Sequence, residues 1–166
     1  MTTIRSLISI LLFNSSLCFS CTYMSKTEKS ISLSEVSCFI RGNILNPDIS
    51  SDLLFDSDGL SWVLDGKNVY YINKLYIIHQ TAWIDNGPDI LEEGFYRYVE
   101  NGKYGYQDHN LNIIIPAQWD FAYPFENGNA TVCNGCKSIF KGEYSQMVGG
   151  QFFTINKIGQ VIDVNK

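Results

Sequence analysis

The chain is short of positive charge: 12 Lys and Arg stand against 17 Asp and Glu, with two His, for a formal net charge of −5. With no cluster of Lys or Arg to override that balance, nucleic acid and anionic lipid headgroups are excluded as partners. No window of helical length sustains a 3.6-residue apolar stripe, which excludes a helical domain. The apolar stretch Leu7 to Phe13 is too short to span a bilayer as a helix. His79 and His109 show no ligand spacing with the cysteines, and no serine or cysteine is placed by motif as a nucleophile beside either. These absences leave no identifiable reaction, and no metal or cofactor is expected.

The N-terminus does carry a signal. Arg5 precedes the apolar stretch, and Leu17-Cys18-Phe19-Ser20-Cys21 ends it, a secretory pattern over residues 1–20. Cys21 follows the small Ser20 directly, which makes it a candidate for lipid attachment; Cys18 and Phe19 depart from the usual residues before such a cysteine. Residues 21–37 are rich in Ser, Thr and Lys and are read as a flexible tether. The remainder, 38–166, is the size of one domain with its own core.

That remainder reads as all-β, built of short antiparallel hairpins and meanders behind a β-rich N-terminal cap over 38–69. In the cap, Phe39-Ile40, Leu53 to Phe55 and Leu60 to Leu64 are expected strands between turns at Asn46-Pro47, Asp58-Gly59 and Asp65-Gly66. Phe95, Arg97 and Val99 alternate with Tyr96 and Tyr98, so the two sets face opposite sides of a strand. Asn101-Gly102 then tolerates positive φ at both residues, the mark of a tight hairpin. Lys103 to Asp108 returns as its partner, and Ile113 to Ile115 closes a three-stranded meander stopped by Pro116.

The pattern recurs. Leu91, Glu92, Glu93, Gly94 and Tyr98 match Phe125, Glu126, Asn127, Gly128 and Val132 at a spacing of 34. Gln151 to Ile162 aligns with Lys103 to Ile114 at a spacing of 48, so the last unit carries an insertion of about 14 residues within Cys133 to Gly150. Upstream, Tyr70 to Lys74 followed by Trp83-Ile84-Asp85 resembles Tyr104 to His109 followed by Trp119-Asp120. About two and a half units therefore fill residues 70–166. The order within Glu93 to Glu126 (EG, alternating strand, NGK, aromatic-Gly-aromatic, polar turn, Ile run with Pro, PFE) resembles the WG-repeat family, with Tyr104-Gly105 at the place of its Trp-Gly pair. That resemblance is clearest over Glu93 to Gly135 and implies a β-rich repeat protein, often exported, with a binding or structural role and no common enzymatic activity.

Three constellations bear on chemistry. Cys133-Asn134-Gly135-Cys136 reads as a redox dithiol, half of a metal site (with Cys38, His79 and His109 as the only further ligands), or a closed structural disulfide. In an oxidising envelope the disulfide is the expected state, pinning the mouth of the inserted Lys137 to Gly149 loop. A free Cys21 would allow a second bridge to Cys38. Asp85, Asp89, Glu92, Glu93, Asp120 and Glu126 offer carboxylates for glycoside hydrolysis, though turn-capping is the use their positions suggest for Asp120 and Glu126. Among Tyr96, Tyr98, Tyr104, Tyr106, Trp119, Phe121, Tyr123 and Phe125, alternation sends about half inward; Tyr104, Tyr106, Trp119 and Tyr123 are the expected exposed platform. The sequence thus points to an exported, non-enzymatic binding module of the bacterial cell envelope, periplasmic or anchored at the outer membrane, whose partner is a protein or cell-wall component. The alternatives are a thiol oxidoreductase using Cys133 and Cys136 and a carbohydrate hydrolase.

Overall fold

The structure is a computed structural model that describes residues 20–40, 44–84, 87–141 and 144–165. Apart from Ser20, the leader read over 1–20 lies outside them. In chain order the elements are β1 (Ser20–Met24), β2 (Ser30–Ser34), β3 (Phe39–Ile40), β4 (Ile44–Leu45), a single helical turn α1 (Pro47–Ser50), β5 (Leu60–Asp65), β6 (Asn68–Asn73), β7 (Ile78–Thr81), β8 (Trp83–Ile84) and β9 (Gly87–Pro88). They continue with β10 (Tyr96–Glu100), β11 (Lys103–Gln107), β12 (Ile113–Trp119), β13 (Phe121–Ala122), β14 (Asn129–Asn134), β15 (Lys137–Lys141), β16 (Tyr144–Val148), β17 (Gln151–Asn156) and β18 (Val161–Asn165). All described pairings are antiparallel, so the all-β reading holds.

Three meanders repeat along the chain: β5-β6-β7, β10-β11-β12 and β14-β17-β18. The first two lie side by side in an eight-stranded sheet of order β12-β11-β10-β7-β6-β5-β1-β2, and the third forms a second sheet, β13-β14-β17-β18. Each meander turns from its second to its third strand in the same way. Asn73, Asp108 and Asn156 accept two backbone N–H bonds through Oδ1, from Leu75 and Ile77, Asn110 and Asn112, and Ile158 and Gln160, at 2.8 to 3.2 Å. The fourth residue of each turn is left-handed: Tyr76, Leu111 and Gly159, with φ of 59°, 66° and 79°. An Asx side chain here replaces the backbone partners that the turn cannot supply. Between first and second strands the turns are two residues long, Gly66-Lys67 and Asn101-Gly102. In the third meander the residues Gly135 to Gly150 replace that turn, and β15 and β16 pair within them as a hairpin.

The segment 21–37, read above as a tether, is instead β1 and β2, paired with each other and, through β1, with β5. Cys21 and Tyr23 enter a core with Cys38, Leu45, Ile49, Leu53, Val63 and Ile72, and Ile31 and Leu33 pack against it. Thr22, Ser30, Ser32 and Ser34 sit at the outward positions of these alternating strands, where a composition-based reading sees only polarity. Cys21 is bonded to Cys38, with Cα atoms 5.0 Å apart, which is the second bridge that a free Cys21 allows. Leu53 to Phe55, an expected strand, contributes only an isolated bridge from Leu53 to Ser25.

Two further cores follow. Leu60, Tyr71, Tyr96 and Leu111 pack between the first and second meanders. Tyr106, Ile115, Trp119, Ala122, Phe125, Ala130, Val132 and Ile155 fill the space between the second and third. The left-handed Gly159 of the third meander lies against Ile115 of the second. Glu93 reaches across the same junction, accepting the Gly128 N–H at 2.9 Å and pairing with Lys157 at 3.0 Å. The buried Arg97 also bridges it, bonding Asp89 through both carboxylate oxygens and donating to the Ala122 carbonyl at 3.1 Å.

Candidate functional site

Cys133 and Cys136 form a disulfide at the end of β14, with both residues buried. The turn they close is fixed from outside as well. Asp120 accepts the Gly135 N–H at 2.6 Å and binds the Lys103 ammonium at 2.6 Å. The Gly135 N–H and then the Lys103 ammonium hold the Asp120 carboxyl below the usual carboxylate range. Gly150 is pressed so closely on Asn134 and Cys136 that a Cβ there would collide with their backbone. The inserted hairpin thus rises from a rigid base.

The remaining candidates for chemistry are dispersed. His79 Nδ1 bonds Gln107 Oε1 at 2.6 Å, and His109 Nε2 bonds the Asn110 side chain at 2.9 Å. Among the described residues no three of His, Cys, Asp and Glu come together as metal ligands. Asp89 is committed to Arg97, Glu93 to Lys157 and Asp120 to Lys103, so these acidic residues have structural uses at separate places. Asp85 lies outside the described residues.

The four aromatics expected on the surface divide. Tyr106 and Trp119 are core side chains, which corrects that expectation: each sits on a strand face that the following meander covers. The Tyr106 hydroxyl donates to the Tyr123 carbonyl at 2.7 Å, and burial pushes its pKa up. Tyr104 is half-buried against the same core, while Tyr123 is 37% exposed. Tyr104 and Tyr123 are linked by Phe121, which the sequence did not single out, with ring centroids 5.2 Å and 5.0 Å apart. Phe121 and Tyr123 are two residues apart on an extended segment, and that period of two was the signal available for pairing them.

This aromatic row lines the larger of two pockets that share Tyr123 and Pro124 and together make up a cleft. The larger part, about 630 Å³, is lined by Ile84, Tyr104, Phe121, Tyr123 and Pro124 opposite Ser138, Ser145 and Met147 of the inserted hairpin. The smaller, about 420 Å³, lies between Tyr123, Pro124 and Glu126 on one side and Thr131 and Phe152 on the other. Ser138 pairs with Met147 and Phe140 with Ser145, so all four share the hairpin face turned to the larger part. Phe140, near the tip, is 86% exposed. The arrangement can grip an extended ligand between an aromatic wall and a hairpin arm.

The same segment matches a known family model. The family model described as WG containing repeat matches residues 104–137, that is, β11 to the start of β15. No curated protein and no solved structure matches the chain. The geometry explains the Gly of the motif: a Cβ on Gly105 would lie 2.5 Å from the Ile115 carbonyl oxygen, 2.5 Å from the Tyr98 ring and 2.7 Å from the Ala117 nitrogen. With Tyr104-Gly105 at its head and the Asp120 and Cys133 turns within it, residues 104–137 are a WG-type β-repeat.

Proposed function

We propose that the chain is an exported, non-catalytic interaction module of the bacterial cell envelope that holds a protein or cell-wall component in the cleft beneath the inserted hairpin. The observation that carries this reading is the Tyr104-Phe121-Tyr123 row facing the hairpin arm across an open cleft. Exposed aromatic surface beside a rigidly based loop is the usual material of a binding site. Export is supported by the secretory pattern before Cys21 and by two disulfides, which persist in oxidising compartments. With Cys21 bridged to Cys38, the periplasm or the extracellular space is proposed as the location rather than a lipid-tethered position.

One observation favours a redox alternative: Cys136 itself lines the cleft. Against it, Cys133 lies within a β-strand, and no helix N-terminus among the described residues is there to acidify its thiol. A Cys133–Cys136 bond that survives a glutathione buffer removes the alternative.

The test replaces Gly135 to Gly150 with the Asn-Gly turn of the preceding meander. Asn134 and Gln151 pair across β14 and β17 as Glu100 and Lys103 pair across β10 and β11, so the shortened chain has a turn that fits. It is expected to fold, to reach the periplasm and to lose its crosslinked envelope partner. Retention of the same partner by the shortened chain would contradict the reading.

A further inference from the structure

The two parts of the cleft share Tyr123 and Pro124, so a single exposed ring and its neighbouring proline form a ridge between two concavities. An occupant that uses both parts has to be extended and has to ride over an aromatic face. The charged groups deep in the site are already satisfied. Arg97 is spent on Asp89 and the Ala122 carbonyl, and Asp120 on Lys103 and Gly135. The backbone of the ridge is spent too: the Tyr123 N–H donates to the Thr131 carbonyl at 2.8 Å, and its carbonyl accepts from Tyr106. What a ligand meets is mainly ring and alkyl surface, from Ile84, Phe121, Tyr123, Pro124, Met147 and Phe152, with the Ser138, Ser145 and Thr131 side chains between them. Beside them, Glu126 is an exposed carboxylate in the smaller part, no Lys or His among the described residues lines either part, and the whole chain is acidic.

A hydroxyl-rich sugar is recognised by several converging charged or amide side chains, and here Arg97 and Asp120 are occupied and the Asn129 amide donates to the Asn127 carbonyl, which leaves Glu126 as the exposed carboxylate. A strand-like peptide added to the sheet would need free backbone N–H and C=O groups on the ridge, and Tyr123 has none. A polyproline II segment needs neither. Its prolines lack N–H groups, its rings pack on aromatic faces, and its stiffness keeps the entropy of ordering small. Three residues per turn let positions i and i+3 enter the concavities on either side of Tyr123 while those between cross the ring.

Building on the cleft reading of the preceding section, we propose that the Tyr123-Pro124 ridge binds a proline-rich peptide in the polyproline II conformation, with a basic residue of that peptide facing Glu126. The Met147 and Phe140 face of the hairpin closes on it from the other side.

The test is fluorescence anisotropy with the whole mature chain and a labelled decaproline flanked by lysines, beside a Gly-Ser peptide of the same length and charge. The expected result is saturable binding of the proline peptide alone. Tyr123→Ala should weaken it at least about tenfold, a change of about 1.4 kcal/mol. Glu126→Gln should weaken it about two- to fivefold and flatten its salt dependence. Both side chains are exposed, so the variants keep the fold, which circular dichroism checks. No saturable binding at about 1 mM peptide, or equal binding by Tyr123→Ala, would overturn the proposal, as would Tyr123-dependent binding of chitin or cellulose oligosaccharides in place of the peptide. Failure here with the partner still lost on hairpin replacement would reject the ligand class and leave the cleft reading standing; failure of both would reject the two together.

Discussion

Gly105→Ala is the substitution for which the structure makes the sharpest demand. Gly105 does not have a positive φ, so the backbone itself would accept alanine, and the whole effect is steric. The added methyl meets the Ile115 carbonyl oxygen at 2.5 Å, the Tyr98 Cε1 at 2.5 Å and the Ala117 nitrogen at 2.7 Å. Two of these three atoms belong to the β12 backbone, which is held by β11 and by the third meander stacked behind it. Only the Tyr98 ring can swing away, and its hydroxyl accepts the Ala117 N–H at 2.8 Å. Overpacking of this kind costs about 1–3 kcal/mol. Stranding the Ala117 donor adds about 1–3 kcal/mol. A combined loss of roughly 2–6 kcal/mol is a large part of the roughly 5–15 kcal/mol that a domain has, and corresponds to a drop in Tm on the order of 10 °C. Urea and thermal unfolding followed by circular dichroism measure it. Gly87→Ala is the control, because among the described residues beyond its chain neighbours the nearest atom, the Ile84 carbonyl oxygen, is 3.9 Å from the added carbon; it should change stability by less than about 0.5 kcal/mol. A Gly105→Ala protein as stable as the control would refute the steric account of the motif glycine.

Further outcomes follow from other contacts. Arg97→Met leaves the buried Asp89 carboxylate without its partner and should destabilise by about 3–5 kcal/mol, measured by urea unfolding at neutral pH; a loss under about 1 kcal/mol would show that the pair is solvated. Burial pushes the Tyr96 hydroxyl up to about 12 from 10.0, and raises Tyr71 in the same direction. Their folded pKa values lie above the unfolded ones, so this contribution is complete below pH 10 and is lost as the pH rises toward 12. Unfolding midpoints flat from pH 9 to 12 would count against it. Asp120→Asn removes the carboxylate that holds both Gly135 and Lys103, and should speed amide exchange at the base of the β15–β16 hairpin while leaving β5 and β6 unchanged.

Much of the repeat was legible because short-range chemistry specifies it. Asn101-Gly102 dictates a two-residue hairpin, and the spacings of 34 and 48 locate the third meander and its insertion from turn residues alone. The stacking of one meander on the next was not legible. Alternation separates Tyr106 from Tyr104 but says nothing of which face another unit will cover, and here Tyr96, Arg97 and Tyr98 are all buried although they alternate. Arg97 hid its role for the same reason, since its partners Asp89 and Ala122 lie on other elements. The N-terminal strands were legible in principle: Cys21 and Tyr23, then Ile31 and Leu33, keep a period of two beneath the Ser and Thr content that suggested a tether. Leu111 could not have been foreseen, because a leucine at φ 66° is tolerated only where tertiary packing rewards its burial.

The central claim, that the Tyr123 cleft is where this chain meets its partner, is tested most directly by photo-crosslinking in the living cell. A photoreactive residue is placed in turn at Tyr123 and Phe140, beside the cleft, and at Ser32 and Ser34, on the exposed edge strand β2. The account predicts the same discrete adduct from Tyr123 and Phe140 and none from β2. Adducts from β2 with Tyr123 and Phe140 silent would place the partner at the opposite end of the sheet and contradict it.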